Sequence, residues 1–203
     1  MNETKQFRTI ESVTAEPTRP RVTGEREREI LDATLGTLRE VGYDRLTMDA
    51  VATAARASKA TLYRRWENKA ALVLDALLLD RHEELEPEDT GSLRTDLIRF
   101  GSRALTGPKP VATLAAVVTA VQCDPGFAAA FRQHFLGPKV RAMHLIYDRA
   151  RERGELRDDV DLHVLGPAMA GIVLHRTFLM GETPTEELIT RVVDQIIVPA
   201  ACR

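Results

Sequence analysis

Residues 46–72, LTMDAVATAARASKATLYRRWENKAAL, contain three residues of the kind that begin helices. Thr47, Ser58 and Asn68 each carry a side-chain oxygen that can accept a hydrogen bond from the free backbone N–H groups of a first helical turn. Asp49 follows Thr47 closely, where a carboxylate favours the positive end of the helix dipole. These caps predict three successive helices, at about residues 48–55, 58–66 and 69–78.

A longer helix precedes this stretch. From about Glu25 onwards, apolar residues recur at helical spacing through Leu35 and Leu38 to Val41, and Gly42 is a typical helix stop. Two short helices after a longer one, joined by three residues, are the layout of a helix-turn-helix, whose second helix enters the major groove of DNA. The sequence therefore predicts a DNA-binding unit.

The second of the short helices has two different faces. At about 100° per residue, Leu62 and Trp66 share one face and can pack on the preceding helices. The opposite face is small, basic and aromatic, and consists of Lys59, Ala60, Tyr63 and Arg64. Basic side chains reach phosphates or guanine edges, a small residue lets the backbone approach, and a phenol can donate a hydrogen bond to a phosphate.

The overall charge makes any anion site a local one. The chain of 203 residues has 28 Lys plus Arg against 30 Asp plus Glu, so bulk positive charge does not hold nucleic acid. Between residues 56 and 69, however, five basic residues face a single acid, Glu67: Arg56, Lys59, Arg64, Arg65 and Lys69. The alternative interpretation of this cluster is a solvated helix face.

The segment from Arg26 to Leu72 resembles the DNA-binding signature of the tetracycline-repressor (TetR) family of bacterial regulators. The features in common are an alanine-rich helix, a Ser-x-x-Thr-Leu-Tyr helix, an aromatic residue and Lys-x-x-Leu. The resemblance implies mainly phosphate contacts from Thr47, Ser58, Thr61, Tyr63, Arg64 and Lys69. It implies that Lys59, Ala60 and Tyr63 face bases.

Two positions depart from the family pattern. Arg56 in the turn and Ala60 in the recognition helix stand where the family usually has Gly. A positive φ costs a non-Gly residue about 1 kcal/mol or more. We therefore expect the turn to avoid that conformation and Arg56 to add a phosphate contact.

The rest of the chain predicts further helices and no strand, so the fold class is all-α. Apolar helical stretches occupy residues 92–105, 111–122, 125–154, 161–180 and 185–198. We expect a flexible arm at residues 1–24, a three-helix DNA-binding domain at 25–72 and a helical effector-binding and dimerisation domain at 73–203. Within the arm, Arg19 and Arg21 either enter the minor groove or make no contact.

Nothing in the sequence calls for catalysis, a metal or a cofactor. The five histidines form no H-x-x-x-H or H-E-x-x-H pair, and neither a nucleophile elbow nor a Walker loop is present. Cys123 and Cys202 lie far apart, which favours reduced thiols. No run approaches the 18 to 20 or so apolar residues of a membrane helix, and the first 21 residues do not resemble a signal peptide. We expect a cytoplasmic protein.

In the family, the helices after the DNA-binding domain enclose a small-molecule pocket. The candidates for its lining are aromatic and soft residues near the middle of the long helices: Phe100, Phe127, Phe131, Phe135, Met143, His144, Tyr147 and Met169. Mostly apolar walls with a few polar groups are typical of such pockets. Such stripes are more often plain core than the lining of a ligand site, so core packing is the alternative.

The last two predicted helices carry broad apolar stripes. Their members are Leu165, Ala168, Ile172, Leu179, Ile189, Val192, Val193 and Ile196. Two copies of this helix pair can bury each other as a four-helix interface, which is also how the family forms homodimers. Packing within the chain's own monomer is the alternative. A two-fold dimer of reading heads would require a palindromic operator.

These observations predict a homodimeric transcription regulator, a repressor released from a palindromic operator in double-stranded DNA by a small-molecule effector. A helical enzyme or small-molecule carrier with an incidental basic face is the first alternative. A non-specific architectural protein is the second, against which the near-neutral charge argues.

Overall fold

The computed structural model describes residues 24–79, 86–105 and 111–202. The N-terminal arm predicted at residues 1–24, with Arg19 and Arg21, therefore lies outside the described residues except for Gly24.

The described residues form twelve α-helices, and the prediction of an all-α fold is confirmed. The helices are α1 (Glu25–Arg45), α2 (Met48–Ala54), α3 (Lys59–Arg65), α4 (Lys69–Leu79), α5 (Leu93–Leu105), α6 (Val111–Cys123), α7 (Pro125–Phe131), α8 (Gly137–Glu152), α9 (Leu162–Leu165), α10 (Ala168–Leu179), α11 (Glu186–Val192) and α12 (Val198–Ala201). A π-helical turn at Arg132–Leu136 joins α7 to α8, and another at Val193–Ile197 joins α11 to α12.

All three predicted N-caps make their hydrogen bonds. The distances are 3.1 Å from Ala50 N to Thr47 Oγ1, 3.1 Å from Thr61 N to Ser58 Oγ and 2.9 Å from Ala71 N to Asn68 Oδ1. Each bond satisfies one of the N–H groups that a helix start leaves without an intrahelical partner. Local sequence therefore sets where α2, α3 and α4 begin.

Gly42 interrupts the first helix instead of ending it. Its dihedrals, φ 75° and ψ 168°, are not helical, yet helical structure resumes and extends to Arg45. The backbone N–H of Leu46 then donates to Gly42 O at 3.1 Å. Glycine tolerates this conformation because it has no Cβ. The predicted stop marks a real break, but the element continues beyond it.

Two apolar cores hold the helices together. The first contains side chains of α1 to α4 and also Ala116, Val117, Ala120 and Phe127 of α6 and α7. The second is formed mainly by α5, α8, α10 and α11. The first four helices therefore share their core with α6 and α7.

One apolar helical stretch, Leu162–Leu179, is only partly buried. By length and composition alone, this stretch could cross a membrane. The helices Ala112–Cys123 and Pro125–Glu152 reach that length and composition only when taken together, and the chain bends by 119° between them. The stretch Leu162–Leu179 passes on its mean hydropathy over 18 residues, which tolerates the polar residues His163, His175 and Arg176 within it, and it is not an unbroken apolar run. Only 17% of Leu162–Leu179 is buried within the chain.

Candidate nucleic-acid interface

The turn between α2 and α3 has the conformation that we expected it to avoid. Arg56 has φ 49°, the single positive φ of a non-glycine among the described residues. Ala57 N donates to Ala52 O at 2.8 Å and Arg56 N donates to Thr53 O at 3.1 Å. This pair of bonds is the Schellman motif, in which a left-handed residue follows the helix end. The expectation was wrong because these bonds outweigh the strain at Arg56.

A side chain of α1 completes this turn. Arg26 Nη2 donates to Ala55 O at 2.9 Å and to Arg56 O at 2.7 Å. These carbonyls lie at the C-terminal end of α2, where a cation is electrostatically favourable. Sequence reasoning missed this contact, since Arg26 and the turn are about thirty residues apart and no local pattern joins them.

The two faces of α3 lie as predicted. Leu62 has no exposed surface and Trp66 is 2% exposed. The indole Nε1 of Trp66 donates to Asp75 Oδ2 of α4 at 2.9 Å, which holds α3 against α4. On the opposite side the side chains of Lys59, Ala60, Tyr63 and Arg64 are exposed. The packing of Leu62 and Trp66 thus directs that face outward.

The capping hydroxyls keep hydrogen-bonding capacity on this surface. Thr47 and Ser58 are exposed and Thr61 is half-buried. Ser58 Oγ and Thr61 Oγ1 lie 2.8 Å apart and share one hydrogen. Because each hydroxyl has one hydrogen and two lone pairs, one hydrogen of the Ser58–Thr61 pair and that of Thr47 remain available for a phosphate oxygen.

The five basic residues of this segment divide into two groups, those without a partner and those with one. The side chains of Arg56 and Arg64 are exposed and have no hydrogen-bond or ion-pair partner within the described residues. Arg65 Nε donates to Glu27 Oε1 of α1 at 2.7 Å. Lys59 and Lys69 also donate hydrogen bonds, to Asp49 and to the Tyr43 carbonyl respectively. Arg56 and Arg64 are therefore the two of these five basic residues whose side-chain donors are all unoccupied within the described residues.

Lys69 lies at the junction of α4 and α1. Its Nζ donates to Tyr43 O at 3.0 Å and lies 4.4 Å from the centre of the Tyr43 ring. The side chain is half-buried. A lysine ammonium has three donors, so this arrangement leaves part of its capacity for a phosphate.

Tyr43 connects this junction to α7. Its hydroxyl donates to Asp124 Oδ2 at 2.6 Å, and Asp124 Oδ1 accepts from Phe127 N at 2.9 Å as the N-cap of α7. Burial and the bond to Asp124 raise the pKa of Tyr43 above its usual range. The bond from Tyr43, followed by that from Phe127 N, lowers the pKa of Asp124. Helix α1 is thereby linked to the start of α7 through hydrogen bonds to the Asp124 carboxylate.

Lys59 pairs with an acid. Its Nζ lies 2.5 Å from Asp49 Oδ2 of α2, and both side chains are more than half exposed. The hydrogen bond from Lys59 to Asp49 raises the pKa of Lys59. The residue predicted to face bases is thus already oriented by its own chain.

The predicted effector-lining residues fall in different parts of the structure. Phe127, Phe131 and Phe135 belong to the first core and stack in sequence, with ring centres 5.9 and 4.5 Å apart. Four others pack in or against the second core: Phe100, Met143, Tyr147 and Met169. His144 is exposed. The structure does not bring the eight residues into one cavity.

Two surface cavities lie elsewhere. One of about 230 Å³ is lined by Glu86, Pro87, Pro138, Arg141, Ala142 and Leu145. The other, of about 510 Å³, is lined by Gly171, Ile172, His175, Arg176, Met180 and Glu182. Neither lining includes a predicted effector residue.

The predicted dimer residues divide into covered and uncovered ones. Ile189, Val192 and Val193 are at most 4% exposed and lie in the second core. A Cβ at Gly101 of α5 would lie 2.8 Å from Ile189 Cγ2, so α11 packs closely on α5. For these three residues the structure matches the alternative, packing within the monomer. The other five keep exposed or half-exposed surface: Leu165, Ala168, Ile172, Leu179 and Ile196.

No group of three or more His, Cys, Asp or Glu side chains suited to a metal occurs in residues 24–79, 86–105 and 111–202. Cys123 and Cys202 are both free thiols. The surface that stands out chemically is therefore the outward face of α3 with the caps around it.

Known proteins match both halves of the chain. The family model "Bacterial regulatory proteins, tetR family" matches residues 30–76, and the model "Tetracyclin repressor-like, C-terminal domain" matches residues 87–196. An uncharacterized HTH-type transcriptional regulator of Mycobacterium tuberculosis is 35% identical over 195 residues, which is 96% of either chain. A relative from Mycobacteroides abscessus, named DNA-binding transcriptional repressor TetR, is 36% identical and covers 85% of this chain and 92% of its own.

Solved structures agree with this assignment. The crystal structure of a TetR family transcription regulator is 31% identical in sequence, covers 89% of this chain and 100% of its own, and superposes with a TM-score of 0.62. The fold and site are those of a helix-turn-helix transcription regulator, not an enzyme. The chain belongs to the TetR family.

Proposed function

We propose that this regulator is a cytoplasmic homodimeric repressor. Residues 25–72 bind a palindromic operator, and residues 73–203 form the dimer and bind a small-molecule effector that releases the DNA. The observation that carries the proposal is the asymmetry of α3, whose inner face is fixed by Leu62 and Trp66 while its outer face presents exposed basic and aromatic groups.

The DNA contacts follow from which groups remain available. Arg56 and Arg64 have unoccupied guanidinium donors, and the hydroxyls of Thr47, Tyr63 and the Ser58–Thr61 pair can donate to phosphates. Ala60 allows the backbone to approach a base edge, and Lys59 reaches it with an ammonium. Lys69 supplies a further phosphate contact from the start of α4.

The uncovered apolar surface supports a dimer. Leu179, at the end of the partly buried stretch Leu162–Leu179, is 69% exposed, and Ile196 near the C-terminus is 44% exposed. An exposed apolar patch on a globular protein marks an interaction surface. A second copy of the chain covers it in a two-fold arrangement, which places two α3 helices on half-sites of a palindrome.

The link between Tyr43 and Asp124 supports control by an effector. It ties α1 to the start of α7, while Lys69 ties α4 to the same tyrosine. In the second core, the Tyr147 hydroxyl and Thr177 Oγ1 are buried and have no hydrogen-bond partner among the residues that the structure describes. Buried polar groups are normally satisfied, so these two are available to a ligand that enters this core.

Effector and operator weaken each other's binding by the same factor under this proposal, because linkage between two binding sites is reciprocal. The effector favours a conformation in which α4 moves the two α3 helices out of register with successive major grooves. The expected factor is about 5- to 150-fold.

The test is selection of bound duplexes from a random library, followed by salt titration of the winning sequence. We expect a palindrome with half-sites about one helical turn or a multiple apart. Equal binding to every duplex, or no binding to any duplex, would contradict recognition of a palindromic operator.

Matched variants locate the surface. Arg64→Ala should weaken operator binding and reduce its salt dependence by about one phosphate contact. Arg191→Ala removes another exposed arginine, on α11, which has no ion-pair partner within the described residues, and should leave DNA binding unchanged. Equal effects of the two variants would contradict the placement of the DNA surface.

A further inference from the structure

Asp49 is an acidic side chain on a surface that binds a polyanion. It lies in the first turn of α2, two residues after the Thr47 cap, and its carboxylate is exposed. A carboxylate at this position repels the phosphate backbone and so opposes affinity for DNA of any sequence. Its presence next to the α3 surface therefore needs a role other than general attraction to DNA.

The structure shows what the carboxylate does. Asp49 Oδ2 lies 2.5 Å from Lys59 Nζ, across ten residues of sequence and between two different helices. Both side chains are solvent-exposed, at 57% and 64%. An exposed pair of this kind contributes little to stability, so the arrangement of Lys59 is the more important consequence.

The pairing limits how Lys59 can meet DNA. A free lysine is a flexible point charge that binds any phosphate within reach. With one of its three N–H donors directed to Asp49, two remain, and guanine presents two acceptors, O6 and N7, in the major groove. The negative charge beside Lys59 also makes a phosphate a poorer partner for this lysine than a neutral base edge.

We propose that Asp49 is a specificity-determining residue, which positions Lys59 for a guanine edge and suppresses its binding to phosphate. The inference rests on the proposed function, since it concerns how the operator is recognised. Asp49 itself makes no direct base contact under this proposal.

The first experiment compares full-length wild type with Asp49→Asn and Lys59→Met. Each is measured against the selected operator, the same operator with each guanine replaced in turn, and an unrelated duplex. Lys59→Met should abolish preference for guanine at one position of each half-site. Asp49→Asn should lower the preference at that same position by roughly 5- to 150-fold, the range of a lost bidentate base contact, and should strengthen binding to the unrelated duplex.

A double variant and an acidic control sharpen the result. Asp49→Asn combined with Lys59→Met should lose no more base preference than Lys59→Met alone, because residues acting as a unit are not additive. Glu67→Gln removes the single acid between residues 56 and 69 and should strengthen binding to all duplexes alike, with unchanged base preference. Melting curves followed by Trp66 fluorescence should show that every variant is folded.

Three outcomes would overturn the inference. They are an unchanged base preference in Asp49→Asn, an effect of Asp49→Asn identical to that of Glu67→Gln, or lost preference at a position that Lys59→Met does not affect. If the wild type selects an operator and Asp49→Asn behaves in any of these ways, this inference is wrong and the proposed function is unaffected. Wild type that binds no duplex refutes the proposed function as well.

Discussion

The two halves of the molecule expose different chemistry. Ten large hydrophobic side chains are exposed among the described residues, and only Tyr63 lies in α1 to α4. The other nine lie between Val118 and Ile196, in the helices that follow. The first half leaves basic and hydroxyl groups outside, as a polyanion requires, whereas the second leaves apolar surface, as a protein partner requires. Four predictions test this division.

The largest effect should come from a charge placed in the second half of the molecule. Whether that charge unfolds the protein or only separates the dimer should depend on its position within one helical turn. Val193 has no exposed surface, whereas Ile196, three residues later, is 44% exposed. Val193→Asp should unfold the second core, because a buried unpaired charge costs several kcal/mol. Ile196→Asp should give a folded monomer.

Circular dichroism and sedimentation velocity distinguish these two outcomes. A helical monomer from Val193→Asp, or an intact dimer from Ile196→Asp, would show that the covered and uncovered stripes have been assigned the wrong way round.

Truncation of the aromatic anchor in the first half should come next. Trp66→Ala should lower the free energy of unfolding by about 3 to 5 kcal/mol, since it removes a buried indole and its bond to Asp75. Urea unfolding followed by circular dichroism measures the loss. Tyr63→Ala is the control, because Tyr63 is 55% exposed; it should weaken DNA binding and leave the unfolding midpoint unchanged.

The bond that joins the two halves should have a smaller, pH-dependent effect. Tyr43→Phe removes the hydrogen bond to Asp124 and should cost about 1 kcal/mol at pH 7. Because the folded-state pKa of Asp124 is lowered, its contribution is present above the ordinary pKa of an aspartate, about 4, and is lost as the pH falls through the folded value.

Urea unfolding of both proteins at several pH values tests the sign. The difference between wild type and Tyr43→Phe should shrink below about pH 4. A difference that is constant down to pH 2 would show that Asp124 is not the partner that matters.

The smallest effect concerns the turn at Arg56. Arg56→Gly relieves the positive φ and should stabilise the first half by at most about 1 kcal/mol. Arg56→Ala keeps the strain and removes the same side-chain charge, so it should give no such gain. Urea unfolding monitored by Trp66 fluorescence measures the difference between the two variants. Equal unfolding midpoints would argue against strain at this position.

What the sequence determined by itself is local. The caps at Thr47, Ser58 and Asn68 act on N–H groups three residues away, and Leu62 and Trp66 share a face by helical periodicity alone. Neighbouring residues carry all the information that these features need. The helix-turn-helix, its outward face and the family resemblance followed from them.

What only the tertiary structure decided depends on residues distant in sequence. Arg26 supports the turn from about thirty residues away, and Tyr43 reaches Asp124 across 81. The apolar faces that contain Val193 and Leu179 are similar in composition. Helix α5 nevertheless covers the face with Val193, whereas Leu179 stays exposed. Periodicity shows that a helix face is apolar, but which neighbour buries it depends on how the whole chain packs.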